Sequence, residues 1–264
     1  MNVESAVLWE RDGAIGRMTL NRPESLNAWN DQLGKQMKEI ISERATDPEV
    51  RTMLVTGAGR AFSSGADLKS GFDAADDGMP DIRGRLRDVY HPIIVGIRTL
   101  EKPVVAAVNG PAVGIGASLA FACDLVLAAE SAYFNLAFVN IGLMPDGGST
   151  LFVPAAAGKA RAFQMALLGE RISAERAVEW GLANTVYPDD RLREEADALV
   201  ARLAEGSTRS YAGSKRALNQ MLYPDLEGQL ELEAELQHSI GRSADFVEGA
   251  TAFVEKRAPA FQSR

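Results

Sequence analysis

Cysteine and histidine are nearly missing from this chain. The single cysteine, Cys123, excludes an internal disulfide, and its setting in ACDLVLAA reads as a buried core thiol rather than a nucleophile. Only two histidines are present, His91 in VYHPII and His238 in a charged helical stretch. A Ser-His-Asp triad or a histidine-built metal site is poorly supplied, so both rings are read as structural or solvated and no metal is expected. Positive charge is also short: 28 Lys and Arg against 36 Asp and Glu leave a formal charge of −8. That balance argues against a surface that tracks nucleic-acid phosphates. No uninterrupted apolar run reaches membrane-span length, and MNVESAVLWERDG has the pattern of neither a signal nor a transit peptide. The expectation is a soluble, cytoplasmic protein with neither nucleic-acid nor membrane partners.

What is present is an ordinary globular composition, 46% hydrophobic and 24% charged over 264 residues, enough to bury a sizeable core. AVLWERDGAIGRMTLN reads as a hairpin turning at Asp12-Gly13. NRPESLN is a loop, and Leu33, Met37, Ile40 and Ile41 follow at helical spacing until Pro48. RTMLVTG, KPVVAAVNG, CDLVLAA and ANTVYP read as short buried strands with helical stretches between them, which is α/β patterning. From Asp189 onward the chain reads as helices only, with Leu192, Leu199 and Leu203 on one face of the first. GFDAADDGMPDIRG, polar and rich in turn formers, is the candidate mobile loop.

The glycine-rich turns carry the first chemical signal. GAGRAFSSG lacks the Gly-Lys-Ser/Thr ending of a phosphate loop, and GIGASL has Leu119 at the third small position of a dinucleotide fingerprint. Strand ends at Val55 and Val108 each lead into such a turn. Two N–H groups converging from separate turns would form an oxyanion hole, whereas tight packing alone would also explain the glycines. The run IGLMPDGGST sets a similar choice. Its lone acid, Asp146, is either a helix N-cap for the residues that follow or a proton carrier.

GRAFSSGADL, KPVVAAVNGPAVGIGASLAFACDLVLA and IGLMPDGGSTLFVP, with NRPESLNA before them and FVEKRAPAF after, resemble the enoyl-CoA hydratase/isomerase (crotonase) superfamily. The likeness covers nearly the whole chain in order, and its motifs are nearest to the enoyl-CoA isomerase and epoxyphenylacetyl-CoA isomerase branch. It implies an α/β, crotonase-like spiral of repeated ββα units in residues 1–190, binding acyl-CoA. Residues 191–264 would be a C-terminal helical trimerisation region, in a homotrimer or a dimer of trimers. The substrate would be an acyl-CoA thioester with no separate cofactor, coenzyme A being part of that substrate.

On motif matching, the thioester oxygen would lie between the N–H groups of Ala66 and Ile115, and Ser64, Asp67, Leu68 and Gly114 would hold coenzyme A. Lys256 and Arg257 fall where C-terminal basic residues reach its phosphates, although a solvated helix end fits them equally. The two glutamates of hydratases fall at Ser118 and Phe138, neither of which carries a proton at neutral pH. Asp146 falls where isomerases of the family carry an acid, and where a dehalogenase branch carries a nucleophilic Asp. The resemblance thus implies an isomerase moving a double bond or opening a ring epoxide, with Asp146 as proton shuttle. Two alternatives remain: a hydratase with an unassigned second acid, for which Glu101, Glu130 and Asp124 lie outside the matching positions, or a non-catalytic CoA-binding member. Phe72, Met79, Tyr90, Phe138 and Met144 are candidate pocket residues for an apolar acyl group, or else core.

Overall fold

β1 (Val7–Asp12) and β2 (Ile15–Leu20) pair antiparallel around a two-residue loop, Gly13 and Ala14. Gly13 supplies the positive φ, +57°, that such a loop needs. The turn therefore falls one residue later than the Asp12-Gly13 pair read from the sequence, and Asp12 itself pairs with Ile15. The structure is a computed structural model that describes residues 5–71 and 78–263. Phe72 and the centre of GFDAADDGMPDIRG lie outside the described residues.

α1 (Asp31–Glu39) starts at Asn30, whose side chain accepts the Leu33 N–H at 2.9 Å. It buries Leu33 and Met37, then widens into a π-type turn, Ile40–Arg44, that buries Ile40 and Ile41. β3 (Thr52–Gly57) follows, and further on a π-type turn, Leu86–Tyr90, joins α2 (Ile82–Arg85) to α3 (His91–Thr99). Next come β4 (Val104–Val108), β5 (Ala112–Val113) and α4 (Ile115–Ala122). β6 (Leu125–Ala129), β7 (Tyr133–Asn135) and α5 (Ser149–Leu168) repeat that order, α5 being broken at Gly158. β8 (Ile172–Ser173), α6 (Ala174–Glu179) and β9 (Thr185–Tyr187) close the strands. Four helices remain: α7 (Leu192–Glu205), α8 (Thr208–Leu222), α9 (Leu226–Ile240) and α10 (Ala244–Glu255).

Two sheets organise these elements. The larger has the order β1-β2-β3-β4-β6-β9, parallel from β2 onward, with Leu54 opposite Val105 and Ala106 opposite Val126. The smaller is β5-β7-β8, and Ser63 pairs onto β5 at Ala112. Each ββα unit thus gives one strand to each sheet and then a helix, as β4-β5-α4 and β6-β7-α5 do. β4 is buried along its whole length, which is why VVAAV is apolar without alternation.

α7 buries Leu192, Ala196, Val200 and Ala204, and it lies against β3, β4 and β6. Its inward face follows a strict four-residue step from Leu192, and Leu199 and Leu203 are half-buried at the edge of that face. No described helix is long and apolar enough to cross a membrane.

α8 is pinned to the core by charge. Asp124 accepts from Arg98 at 3.1 Å, from Lys215 at 2.8 Å and from the Val104 N–H at 2.8 Å. Lys215 also donates to the Ile97 carbonyl at 2.7 Å, and burial lowers its pKa against the pull of Asp124. Asp124→Asn would leave two buried cations without their counter-charge. Because the Asp124 side chain keeps 18% of its exposure, the expected cost is about 2–3 kcal/mol, below the range for a fully buried pair. Equilibrium urea unfolding of the two proteins reads that difference; an unchanged midpoint would show that the network contributes nothing net.

Candidate active site

Beyond β3 the chain comes alongside the segment after β4. Ser63 donates its N–H to the Pro111 carbonyl at 3.0 Å and accepts from the Val113 N–H at 2.8 Å, so the two stretches pair in parallel. The NRPESLNA loop clamps the first stretch. Asn27, held at φ +56°, donates through Nδ2 to the Ala58 and Ala61 carbonyls at 2.9 and 2.8 Å. Trp29 Nε1 donates to the Ser63 hydroxyl at 3.1 Å.

Trp29 also decides where the next N–H points. Its backbone donates to the Gly65 carbonyl at 2.7 Å and accepts from the Asp67 N–H at 3.0 Å. In strand-like pairing the residue between those two turns its own polar groups to the other side. The Ala66 N–H is thus directed away from Trp29, and it has no acceptor among the described residues. Ile115 arrives at the same condition differently. It opens α4, where the first N–H groups have no carbonyl one turn back, and it too has no acceptor among the described residues. The helix dipole adds partial positive charge at that end.

Two glycines bring these turns together. Gly65 has φ +91° and Gly114 has φ +55°. A Cβ on Gly65 would fall 2.8 Å from the Val113 carbonyl oxygen and 3.7 Å from Gly114 Cα, so no side chain fits between them. Both N–H-bearing residues line one cavity of about 400 Å³. Leu68, Ile82, Leu86, Val113, Phe138 and Leu143 supply much of its apolar wall. Among the described lining residues Asp146 is the only carboxylate.

Asp146 is 4% exposed. Its Oδ2 accepts from Gln237 Nε2 at 2.8 Å, and its Oδ1 has no partner among the described residues. The carboxylate does not cap α5. Instead its backbone carbonyl accepts from the Ser149 hydroxyl at 2.8 Å and the Ser118 hydroxyl at 2.7 Å. The cap comes from far along the chain: Glu233 of α9 accepts the Gly148 N–H at 2.9 Å, the Thr150 N–H at 3.3 Å and the Thr150 hydroxyl. The N-cap reading of Asp146 is therefore set aside.

Burial, and then the neighbouring Glu233 charge, push the Asp146 carboxyl up to about 8, while the Gln237 hydrogen bond pulls the other way. Burial lifts Glu233 to about 7 against the bonds from Thr150 and Gly148. Tyr90 lines the same cavity, edge-on to Trp29 at 5.1 Å, with its phenol held well above its usual value by burial and then by Asp146.

Of the other residues read from the sequence, Ser64, Leu68, Gly114 and Phe138 line the cavity. Ser118 is buried beside it, supporting the Asp146 loop. Asp67 is turned to Arg22 at 2.9 Å; burial alone would raise its pKa, but that guanidinium and the Ser70 hydrogen bonds together lower it. Lys256 is exposed at the end of α10 with φ +57°, and Arg257 pairs with Glu248 and Glu255; neither lines the cavity. Met79 and Met144 do not line it either. Glu101 and Glu130 are exposed elsewhere. Cys123 is buried, its thiol pushed up to about 12 by burial. His91 is kept neutral by burial, which lowers it to about 4. The residues that sequence reading missed are Glu233 and Gln237. Their only signal is position: with Leu230 and Ala234 they occupy the buried stripe of α9 at a helical i, i+3, i+4, i+7 spacing.

Comparison with known proteins gives the family. Residues 10–264 match the model of the enoyl-CoA hydratase/isomerase family. The chain is 42% identical over 258 residues, 98% of both chains, to a 1,2-epoxyphenylacetyl-CoA isomerase of Escherichia coli strain K12. It is 43% identical, again over 98% of both, to a probable enoyl-CoA hydratase of Rhodobacter capsulatus. The crystal structure of an enoyl-CoA hydratase from Mycobacterium avium subsp. paratuberculosis K-10 superimposes with a TM-score of 0.89 at 41% identity, covering 98% of this chain and 99% of that one. With its ββα spiral, its paired backbone donors and this span of likeness, the chain belongs to the enoyl-CoA hydratase/isomerase family and has the crotonase fold.

Proposed function

We propose that the protein is an acyl-CoA isomerase that shifts a double bond, or rearranges a ring epoxide, with Asp146 as its single proton carrier. The observation that carries this reading is that one carboxylate, and only one among the described residues, lines the cavity that Ala66 and Ile115 also line. An unsaturated thioester places its carbonyl oxygen between those donors. Ionised Asp146 removes a proton from C2 of a 3-enoyl thioester, and the enolate charge collects on that oxygen. The same proton returns to C4, the double bond comes to lie between C2 and C3, and neither atoms nor electrons are lost. A carboxyl raised to about 8 is a stronger base than an ordinary one, which suits a weakly acidic carbon. Water addition would ask for a second proton carrier, and the positions matching the hydratase glutamates hold Ser118 and Phe138, one buried on a carbonyl and the other in the apolar wall.

Coenzyme A enters as part of the substrate, with Ser64, Leu68 and Gly114 along its path and no separate cofactor. Self-association accompanies this reading. Phe163, Leu167 and Leu168, on α5 beyond its break at Gly158, stand 57%, 64% and 56% exposed, and Phe253 on α10 is 59% exposed. Exposed apolar residues of this size on two helices favour a subunit interface, in a homotrimer or dimer of trimers. Light scattering is expected to give a mass of at least three chains; a monomeric mass would end that part of the proposal.

Asp146→Asn should lower turnover of a 3-enoyl-CoA by about 10²–10⁴ while leaving acyl-CoA binding in place. Hydration of a 2-enoyl-CoA surviving that change would overturn the assignment. The same variant should gain stability at high pH. The folded carboxyl titrates near 8 against about 4 when unfolded, so keeping it neutral favours folding below pH 4, and that advantage is lost as pH rises through 8. The melting temperature of Asp146→Asn minus wild type should therefore rise between about pH 4.5 and about pH 8.5, by roughly 3 °C or more. A flat difference across that range would show that Asp146 titrates normally.

A further inference from the structure

We infer that Gln237, together with Glu233 one turn before it on α9, is the device that positions Asp146, holding Oδ2 so that Oδ1 is the atom that carries the proton. The inference rests on the proposed role of Asp146 and assigns the C-terminal helix a part in it.

The orientation of the Gln237 amide is fixed by the chain itself. Its Oε1 accepts the Met144 N–H at 3.3 Å, and its Nε2 donates to the Met144 carbonyl at 2.7 Å. A flipped amide would set like against like at both contacts. With the amide so held, its second N–H has one acceptor, Asp146 Oδ2 at 2.8 Å. Gln237 is fully buried, so that bond is shielded from water. Oδ1 is left without a partner among the described residues, in a side chain that lines the cavity. One carboxylate oxygen is anchored, and the other, buried and without a partner among the described residues, is the one left for a substrate.

Glu233 acts on the same carboxylate through charge. It too is fully buried, and it is held by Gly148 and Thr150, two and four residues past Asp146. The titratable groups that face Asp146 are Glu233 from α9 and Tyr90 from the turn before α3, while Arg171 lines the same cavity. Gln237 favours ionised Asp146 by donating to it, and Glu233 disfavours it by like charge. The two residues therefore tune the base in opposite directions.

Opposite signs make the test specific. Rate should rise with pH as Asp146 ionises, giving an acid limb in kcat/KM for a 3-enoyl-CoA. Gln237→Met removes the donor, and the limb should move up by about one pH unit, roughly a tenfold loss at any pH below it. Glu233→Gln removes the like charge while keeping the shape and an acceptor for Gly148, and the limb should move down. A structural defect would lower the rate without moving the limb. NMR titration of carboxyl-labelled aspartate, with no substrate present, should show the Asp146 carboxyl moving in the same two directions. Limbs and titrations that stay in place, or that both move the same way, would overturn the inference. Shifts seen by NMR in a protein whose Asp146→Asn variant still isomerises would keep the positioning role and remove the proton-carrier role. If Gln237→Met fails to fold, the direction of the Glu233→Gln shift still decides its half, and Gln237→Glu, which retains the length of the side chain, replaces it with an expected upward shift.

Discussion

At Gly65 and Gly114 two strand-end turns approach so closely that a Cβ on Gly65 would collide with the Val113 carbonyl oxygen, and both glycines adopt positive φ. The contact places beside one cavity two N–H-bearing residues from stretches about fifty residues apart. It also constrains the fold. The parallel bridge from Ser63 to Ala112 ties the segment that presents Ala66 to β5, at the edge of the smaller sheet. Rigid elements hold donors in place better than loops, and a preorganised pair avoids reorganisation as charge develops.

The second constraint is the burial of two carboxylates at one end of α5. Asp146 and Glu233 are both removed from water, and burial raises the pKa of each. Their roles differ because their partners differ. Glu233 is held by two N–H groups and a hydroxyl at the start of a helix, where negative charge is favoured. Among the described residues the Asp146 carboxylate has one hydrogen bond, and it comes from a side chain. The carboxylate with more hydrogen bonds therefore holds structure, and the other keeps one oxygen without a partner among the described residues. Such a site costs stability at neutral pH, a cost that the large buried core around β3, β4 and α7 offsets.

Much of this was legible in the sequence, for physical reasons that can be named. Buried parallel strands such as VVAAV announce themselves as short apolar runs, and glycines at strand ends mark close backbone approach. Asp146 stood out because an acid among prolines, glycines and apolar residues has few structural excuses. That its carboxylate does not cap α5 was not legible, since the group that does, Glu233, lies more than eighty residues away. Gln237 was hidden for the same reason: a polar residue on an amphipathic helix reads as solvent-facing unless the buried face is known. The face of α7 shows how small the margin is, for Leu199 and Leu203 look like its centre, yet Ala196 and Val200 pack deepest. Small residues carry a weak hydrophobic signal where helix and sheet approach most closely.

Ser118 connects the two halves of the site. Its hydroxyl, fully buried in α4 just past the Gly114 turn, donates to the backbone carbonyl of Asp146. A glutamate at that position would bring a longer, charged side chain against the same carbonyl, and two acceptors would face each other where one donor now serves. The absence of a carboxylate at Ser118 and the presence of one at Asp146 are thus parts of a single arrangement. The hydroxyl fixes the loop, the loop places the acid, and α9 holds one oxygen of that acid. Moving a proton between two carbons of one bound molecule needs a single base that stays where both carbons can be reached. On the proposed reading, a carboxylate anchored through one oxygen meets that need, whereas adding water across a double bond requires a second proton carrier, and no other carboxylate lines the cavity among the described residues.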